Sequence, residues 1–182
     1  DMLGVFFKPD GLMMFLTGGQ NNKIYSYTLT TAWDISTATA TDNKTLPGAI
    51  NPSGLYWRED GKRLFYGDTV ATHFNAGALT TPWDISTFVT LGGTVTEGSS
   101  TRDLSFSKDG LRAFRVDNDE FVSTYILSIP FVPESKGAVT KYTIIPTRNL
   151  KGLSFNVNGS LMYVGANDGG DIIQYVIKRG WR

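Results

Sequence analysis

Short apolar runs of alternating pattern, each closed by a polar turn, recur along the whole chain. Four of them align as "GVFFKPDG" (4–11), "GLYWREDG" (54–61), "DLSFSKDG" (103–110) and "GLSFNVNG" (152–159). Their last glycines, Gly11, Gly61, Gly110 and Gly159, are spaced 50, 49 and 49 residues apart. Six residues before each glycine stands an aliphatic residue (Val5, Leu55, Leu104, Leu153), and four before it an aromatic one (Phe7, Trp57, Phe106, Phe155). Four residues after it comes another aromatic: Phe15, Phe65, Phe114 or Tyr163. Period-two alternation predicts strands, and self-similarity at this period predicts one supersecondary unit copied four times.

Each unit reads as a run of short strands. The first ends at Asp-Gly or Asn-Gly, a strong hairpin signal because these residues tolerate a tight turn. The second carries the aromatic of "RLFYG" or "LMYVG", and a polar turn leads to a third such as "IYSYTL" or "IIQYVI". A weaker fourth strand follows in three units, around "TATAT", "FVTLGG" and "GAVTKY". No segment has the periodicity of a helix. In unit two Gly77 stands where the other units carry tyrosine, an irregularity that asks for something packed against it.

Between the third and fourth strands lies "LTTAWDIST" (29–37), repeated almost unchanged as "LTTPWDIST" (79–87). Trp33, Trp83 and Trp181 each follow their unit's glycine by 22 residues, and Phe131 holds the place in unit three within one residue. The aromatic persists in all four units whereas Asp-Ile-Ser-Thr survives in two. Trp33, Trp83, Phe131 and Trp181 are therefore expected to pack blade against blade rather than to bind a ligand.

Four antiparallel units of this length predict an all-β fold, a small β-propeller of four ~49-residue blades. It is expected to form a single domain, 1–182, with units of approximately 1–50, 51–99, 100–148 and 149–182. Unit four reaches "KRGWR" without a fourth strand, so the last blade is expected to lack its outer strand. Three readings stand open: a three-stranded blade, a strand supplied by another chain, or membership in a larger ring. An uncovered strand edge invites association, which points to other protein subunits of an assembly as partners.

The hairpins "FKPDG", "WREDG" and "FSKDG" resemble the Asp-Gly repeats of WD40-like and TolB-like propellers. The "TPWDIST" element is similar to repeats of phage virion proteins of tail-fibre or adhesin type and of bacterial surface repeat proteins. The resemblance spans nearly the whole chain and implies a propeller, a fold that hosts many activities.

Composition trims the range of functions. Lys plus Arg and Asp plus Glu number 17 each, so no net field draws the protein to nucleic acid. No apolar stretch is long enough for a spanning helix. Absence of cysteine excludes disulfides, thiolate nucleophiles and Cys-based zinc sites. The start at Asp1, without Met, suggests processing or a segment of something longer.

In a propeller the connections around the channel mouth are the usual ligand face. Here they supply Gln20, Asn51, Asp68, His73, Arg102, Arg148 and Asn149 as candidate ligand-binding residues. His73 is the only histidine, so no two-histidine metal site exists. Arg102 and Arg148, just ahead of the first strand in units three and four, have the guanidinium chemistry to clamp a carboxylate. No Asp-box of the sialidase type appears. Asp117, Asp119, Asp168 and Asp171 have oxygen ligands for calcium, but Asp, Asn and Gly are also what tight turns use, and no metal or other cofactor is expected. Tyr56, Tyr66 and Tyr142 fall off the fully repeated positions and are candidates for surface contacts.

The reading favoured is non-enzymatic: a structural or recognition module of a virion or extracellular assembly, displaying loops toward a surface or glycan. A stand-alone glycan-binding lectin and a polysaccharide-acting hydrolase or lyase are the alternatives. The hydrolase needs a convergent acid/base pair, and the scattered carboxylates single out none.

Overall fold

A computed structural model describes residues 2–18, 21–70, 73–91, 95–96, 100–117, 121–143, 149–167 and 170–177. It is all-β, four antiparallel sheets arranged as a four-bladed propeller. Blade one is β1 (Met2–Phe7), β2 (Met13–Gly18), β3 (Lys23–Leu29) and β4 (Ala38–Thr45). Blade two is β5 (Pro52–Trp57), β6 (Arg63–Asp68), β7 (His73–Leu79) and β8 (Phe88–Thr90), with β9 (Val95–Thr96) also paired to β7. Blade three is β10 (Thr101–Phe106), β11 (Arg112–Asp117), β12 (Phe121–Leu127) and β13 (Lys136–Thr143). Blade four has three described strands, β14 (Leu150–Phe155), β15 (Leu161–Ala166) and β16 (Ile172–Val176). The expected all-β propeller architecture is what the chain adopts, and among the described residues the last blade has three strands.

The first hairpin of each blade shows why Asp-Gly recurs. Only the glycine takes the left-handed backbone, with φ of 72°, 69°, 72° and 67° at Gly11, Gly61, Gly110 and Gly159. The residue before it works through its side chain: Asp10 Oδ1 accepts from the Leu12 N–H at 3.0 Å, and Asp60, Asp109 and Asn158 repeat the contact.

The Trp turns lie against these same glycines. Trp33 N–H donates to Gly11 O at 3.0 Å, Trp83 to Gly61 O at 2.9 Å and Phe131 to Gly110 O at 2.9 Å. All three aromatics sit at positive φ, 66°, 66° and 56°, a region bulky residues occupy only when their surroundings hold them there. A Cβ on Gly61 would lie 2.4 Å from Trp83 Nε1, and the equivalents at Gly11 and Gly110 meet Trp33 and Phe131 as closely. The ring thus rests on a surface that only glycine leaves open, which accounts for the constant spacing between the two motifs.

Asp-Ile-Ser-Thr closes the turn. Asp34 Oδ1 accepts from the Ser36 backbone N–H at 3.0 Å, and Thr37 Oγ1 donates to Asp34 O at 2.8 Å. Asp84, Ser86 and Thr87 repeat both bonds. In unit three Ser135 Oγ replaces the threonine, donating to Val132 O at 2.7 Å, and Pro133 starts the turn where no side-chain cap exists. The duplicated string is architecture, and the third unit builds it from other residues.

Between blades, the aromatic of the second strand packs at a tilt against the innermost-strand aromatic of the following blade. Ring centroids are 4.6 Å apart for Phe15–Trp57, 4.4 Å for Phe65–Phe106 and 4.6 Å for Phe114–Phe155. Each pair adds roughly 0.5–1.5 kcal/mol beyond the area it buries. Trp83 wedges between Phe6 and Phe15 of blade one and Trp57 of its own blade, while Phe131 packs on Phe65 and Phe106. Trp33 is 60% exposed; Trp181 lies outside the described residues.

One expectation is corrected by packing: Tyr66 is fully buried in the core between blades one and two, so it is no surface contact. Tyr56 is half-buried, packing among Phe6, Phe65 and Phe106 while lining the cavity at the innermost strands. Burial pushes the Tyr56 hydroxyl up to about 12. The side chain of Tyr142 lies outside the described residues.

Candidate active site in the central channel

The innermost strands β1, β5, β10 and β14 line a central channel of about 620 Å³. Each pairs to its neighbour with a register shift at the same place, between Met2 and Gly4, Pro52 and Leu55, Thr101 and Asp103, and Leu150 and Gly152. Bulges of this kind re-aim the side chains beside them. At the re-aimed position, seven residues before the hairpin glycine, three blades carry glycine: Gly4, Gly54 and Gly152. Blade three carries Asp103, which faces the channel.

The glycines serve close approach of neighbouring inner strands. A Cβ on Gly4 would lie 3.2 Å from Gly54 Cα, and one on Gly54 would lie 2.2 Å from Asp103 Oδ1. Gly54 therefore makes the room that the Asp103 carboxylate occupies. Asp103 Oδ1 accepts from its neighbour's backbone, Leu104 N, and Oδ2 accepts from Leu153 N of blade four, both at 2.8 Å. Burial nonetheless dominates and pushes the carboxyl up to about 7, against the downward pull of the two N–H donors. A partly buried acid poised near neutrality in a concave site is a candidate proton-transfer group. Glu59, Lys108 and Lys151 also line the channel.

Polar links carry the blades around this centre. Thr17 Oγ1 donates to Ser53 O at 3.1 Å, and Ser53 Oγ donates to Thr101 O at 2.6 Å. With Leu153 N to Asp103, they tie blade one to two, two to three and three to four.

The residues singled out from the sequence are placed differently. Asp68 is fully buried and accepts from Ile50 N at 2.7 Å and Val70 N at 2.8 Å, holding the loop that enters β5. Asn51 is half-buried on that loop, with its amide donating to Thr69 Oγ1. Asp117, at the corresponding place in blade three, is fully buried beside Arg115 Nη2 at 3.1 Å and accepts from Phe121 N at 3.2 Å. Arg102 is half-buried next to Asp103, and Asn149 accepts Asn167 N at its backbone oxygen, 2.9 Å. Asp171 is exposed. Gln20, Arg148, Asp119 and Asp168 lie outside the described residues, as does the His73 side chain. Among the described residues no group of three or more His, Asp or Glu is placed to hold a metal ion. The missed residue, Asp103, had one signal in the sequence: it opens "DLSFSKDG" where the three sister units open on glycine.

No family model matches the chain, and no curated protein matches it. Solved structures do. A putative 6-phosphogluconolactonase from Bacteroides uniformis superposes with a TM-score of 0.69 at 15% identity, covering 100% of this chain and 52% of that one. Another, from Bacteroides fragilis, gives 0.70 at 14% identity, covering 98% and 51%. The likeness is one of fold. The chain spans about half the length of these structures. The comparison corrects the non-enzymatic reading: these neighbours carry the name of an enzyme, and neither supports a role in a virion, in adhesion or in glycan display.

Proposed function

We propose that the channel around Asp103 hydrolyses a lactone of a sugar acid. The observation that carries this reading is the Asp103 carboxyl itself, which lines the channel with its titration pushed up to about 7, at the position where the other three blades carry glycine. In its ionised form Asp103 takes a proton from water as the water oxygen adds to the lactone carbonyl. The tetrahedral intermediate collapses with cleavage of the ring C–O bond, and the proton held by Asp103 passes to the departing ring oxygen, which becomes a hydroxyl. Water and lactone thus yield the open hydroxy acid. The channel-lining Lys108 and Lys151 supply positive charge along the wall, suited to a phosphorylated or otherwise anionic substrate. The solved neighbours of the same fold are named for such a substrate.

The test is acid release from gluconolactone and from its 6-phosphate, counted above the buffer blank because lactones also open unaided. Asp103→Asn, checked for folding by circular dichroism, is expected to lose the excess rate. No excess rate with the unsubstituted protein, or an equal excess with the variant, overturns the reading.

A further inference from the structure

The first hairpins of the blades share one turn, and blade four builds it with asparagine. In blades one to three the residue before the turn glycine is an aspartate. Its Oδ1 accepts from the N–H two residues on, Leu12, Lys62 and Leu111, at 3.0, 3.0 and 2.9 Å. Asn158 holds that place in blade four, and its Oδ1 accepts from Ser160 N at 3.0 Å. Asn158–Gly159 is the single Asn-Gly pair of the chain, and Asn158 is exposed. A glycine has no side chain to obstruct the approach of its own nitrogen to the preceding amide. The supporting contacts differ as well. Lys8, Arg58 and Ser107 each give a donor to the aspartate of their own turn. The equivalent Asn156 donates instead from Nδ2 to Ser160 Oγ at 3.0 Å, and Ser160 Oγ donates on to Asn158 Oδ1 at 2.6 Å. Two donors of Ser160 thus converge on the amide oxygen of Asn158.

We propose that Asn158 is a self-modification site, where deamidation turns the blade-four hairpin into the Asp-Gly hairpin of its sisters. The Gly159 nitrogen, giving its proton to solvent base, adds to Asn158 Cγ. Negative charge gathers on Oδ1, where the Ser160 N–H and O–H already point, and donors preset at such an oxygen lower the barrier to a tetrahedral intermediate. The Cγ–Nδ2 bond breaks, ammonia leaves with a proton from water, and a cyclic succinimide remains. Water adding at Cγ reopens the ring to aspartate; water adding at the main-chain carbonyl gives isoaspartate, with an extra methylene in the backbone. In the closed turn the Gly159 N–H donates to Asn156 O at 2.9 Å, so attack begins from a local opening of this exposed hairpin. The aspartate product fits the turn as it stands, because three sister turns hold a carboxylate on the same N–H. It adds a negative charge directly after Asn156 and Val157, which line the channel.

The experiment is incubation of the folded chain in mildly alkaline buffer, with a parallel sample unfolded in urea. Peptide mass spectrometry follows a gain of about one dalton at Asn158, with the aspartate and isoaspartate peptides separated by chromatography. The folded chain is expected to acquire the gain at Asn158. Ser160→Ala, checked for folding by circular dichroism, is expected to slow it at least about fivefold, since an oxyanion donor is lost. In urea the two chains are expected to react at equal rates, because the donors are no longer held in place. Asn158→Asp, the product itself, is expected to keep the thermal midpoint of the parent chain. No gain at Asn158 in the folded chain overturns the proposal, and this arm needs no variant. So does a slowing by Ser160→Ala that is the same folded and unfolded, the mark of local sequence alone. A lowered midpoint for Asn158→Asp overturns the fit of the product.

Discussion

Gly77 and Phe88 share one space: a Cβ on Gly77 would lie 1.9 Å from Cε2 of the Phe88 ring. In blade one the equivalent pair is Tyr27 with Ala38, and in blade three Tyr125 with Lys136, whose ammonium sits 5.7 Å from the ring centroid. The large group has moved from β7 to the start of β8, and this accounts for the missing tyrosine of unit two. Gly77→Ala is expected to destabilise the protein by about 1–3 kcal/mol through overpacking, and Phe88→Ala by about 3–5 kcal/mol. The double variant Gly77→Tyr with Phe88→Ala rebuilds the blade-one arrangement and is expected to cost less than the sum of its parts. Urea unfolding of Gly77→Tyr, Phe88→Ala and the double measures that coupling.

Gly61 and Gly48 separate backbone strain from packing. Both have positive φ, 69° and 78°, but a Cβ on Gly48 meets nothing within 4 Å whereas one on Gly61 strikes the Trp83 indole. Gly48→Ala is expected to cost about 1–2 kcal/mol, the left-handed penalty alone. Gly61→Ala is expected to cost at least about 1 kcal/mol more and to shift Trp83 fluorescence, because the ring must lift. Equal losses at the two sites would contradict the packing account.

The turn cap makes a third case. Asp84→Ala removes the acceptor for Ser86 N–H, and a cap of this kind is worth about 0.5–2 kcal/mol. Val132→Ala, at the equivalent place in unit three, removes no such bond, since Pro133 sets the turn there. Thermal unfolding of the two variants is expected to show a lower midpoint for the first through loss of the cap.

Asp103 is expected to link the proposed activity and the stability to pH in opposite directions. Its folded value, about 7, lies above the ordinary 3.8, so the folded state binds this proton more tightly than the unfolded chain. That contribution is fully present below the unfolded value and is lost as pH rises through about 7, up to about 4 kcal/mol in all. Asp103→Asn is expected to flatten this fall in stability. The proposed lactone hydrolysis, which would use the ionised form, is expected to rise as pH passes through about 7, and the variant to lose at least about a hundredfold in rate. A stability profile unchanged by the substitution would show that Asp103 does not titrate there.

The sequence by itself determined the blades. Alternation, the recurring Asp-Gly and Asn-Gly turns and the repeat period are local properties, and each unit states them again, so strand order and blade count were legible. It also showed that the Trp turn is structural, because the aromatic persists where its polar neighbours change. Tertiary structure decided the rest. Tyr66 read as a surface candidate because it does not mark every unit, yet the blade that covers it lies about fifty residues away in sequence. Asp68 and Asp117 looked like loop ligands, but burial directs their oxygens at backbone N–H groups of neighbouring loops. Asp103 was visible only as a carboxylate in a glycine's place. Its poise near neutrality arises from the channel around it, from the space Gly54 leaves and from the N–H group of the next blade. Desolvation depends on what surrounds a charge in space, and no stretch of one strand contains that.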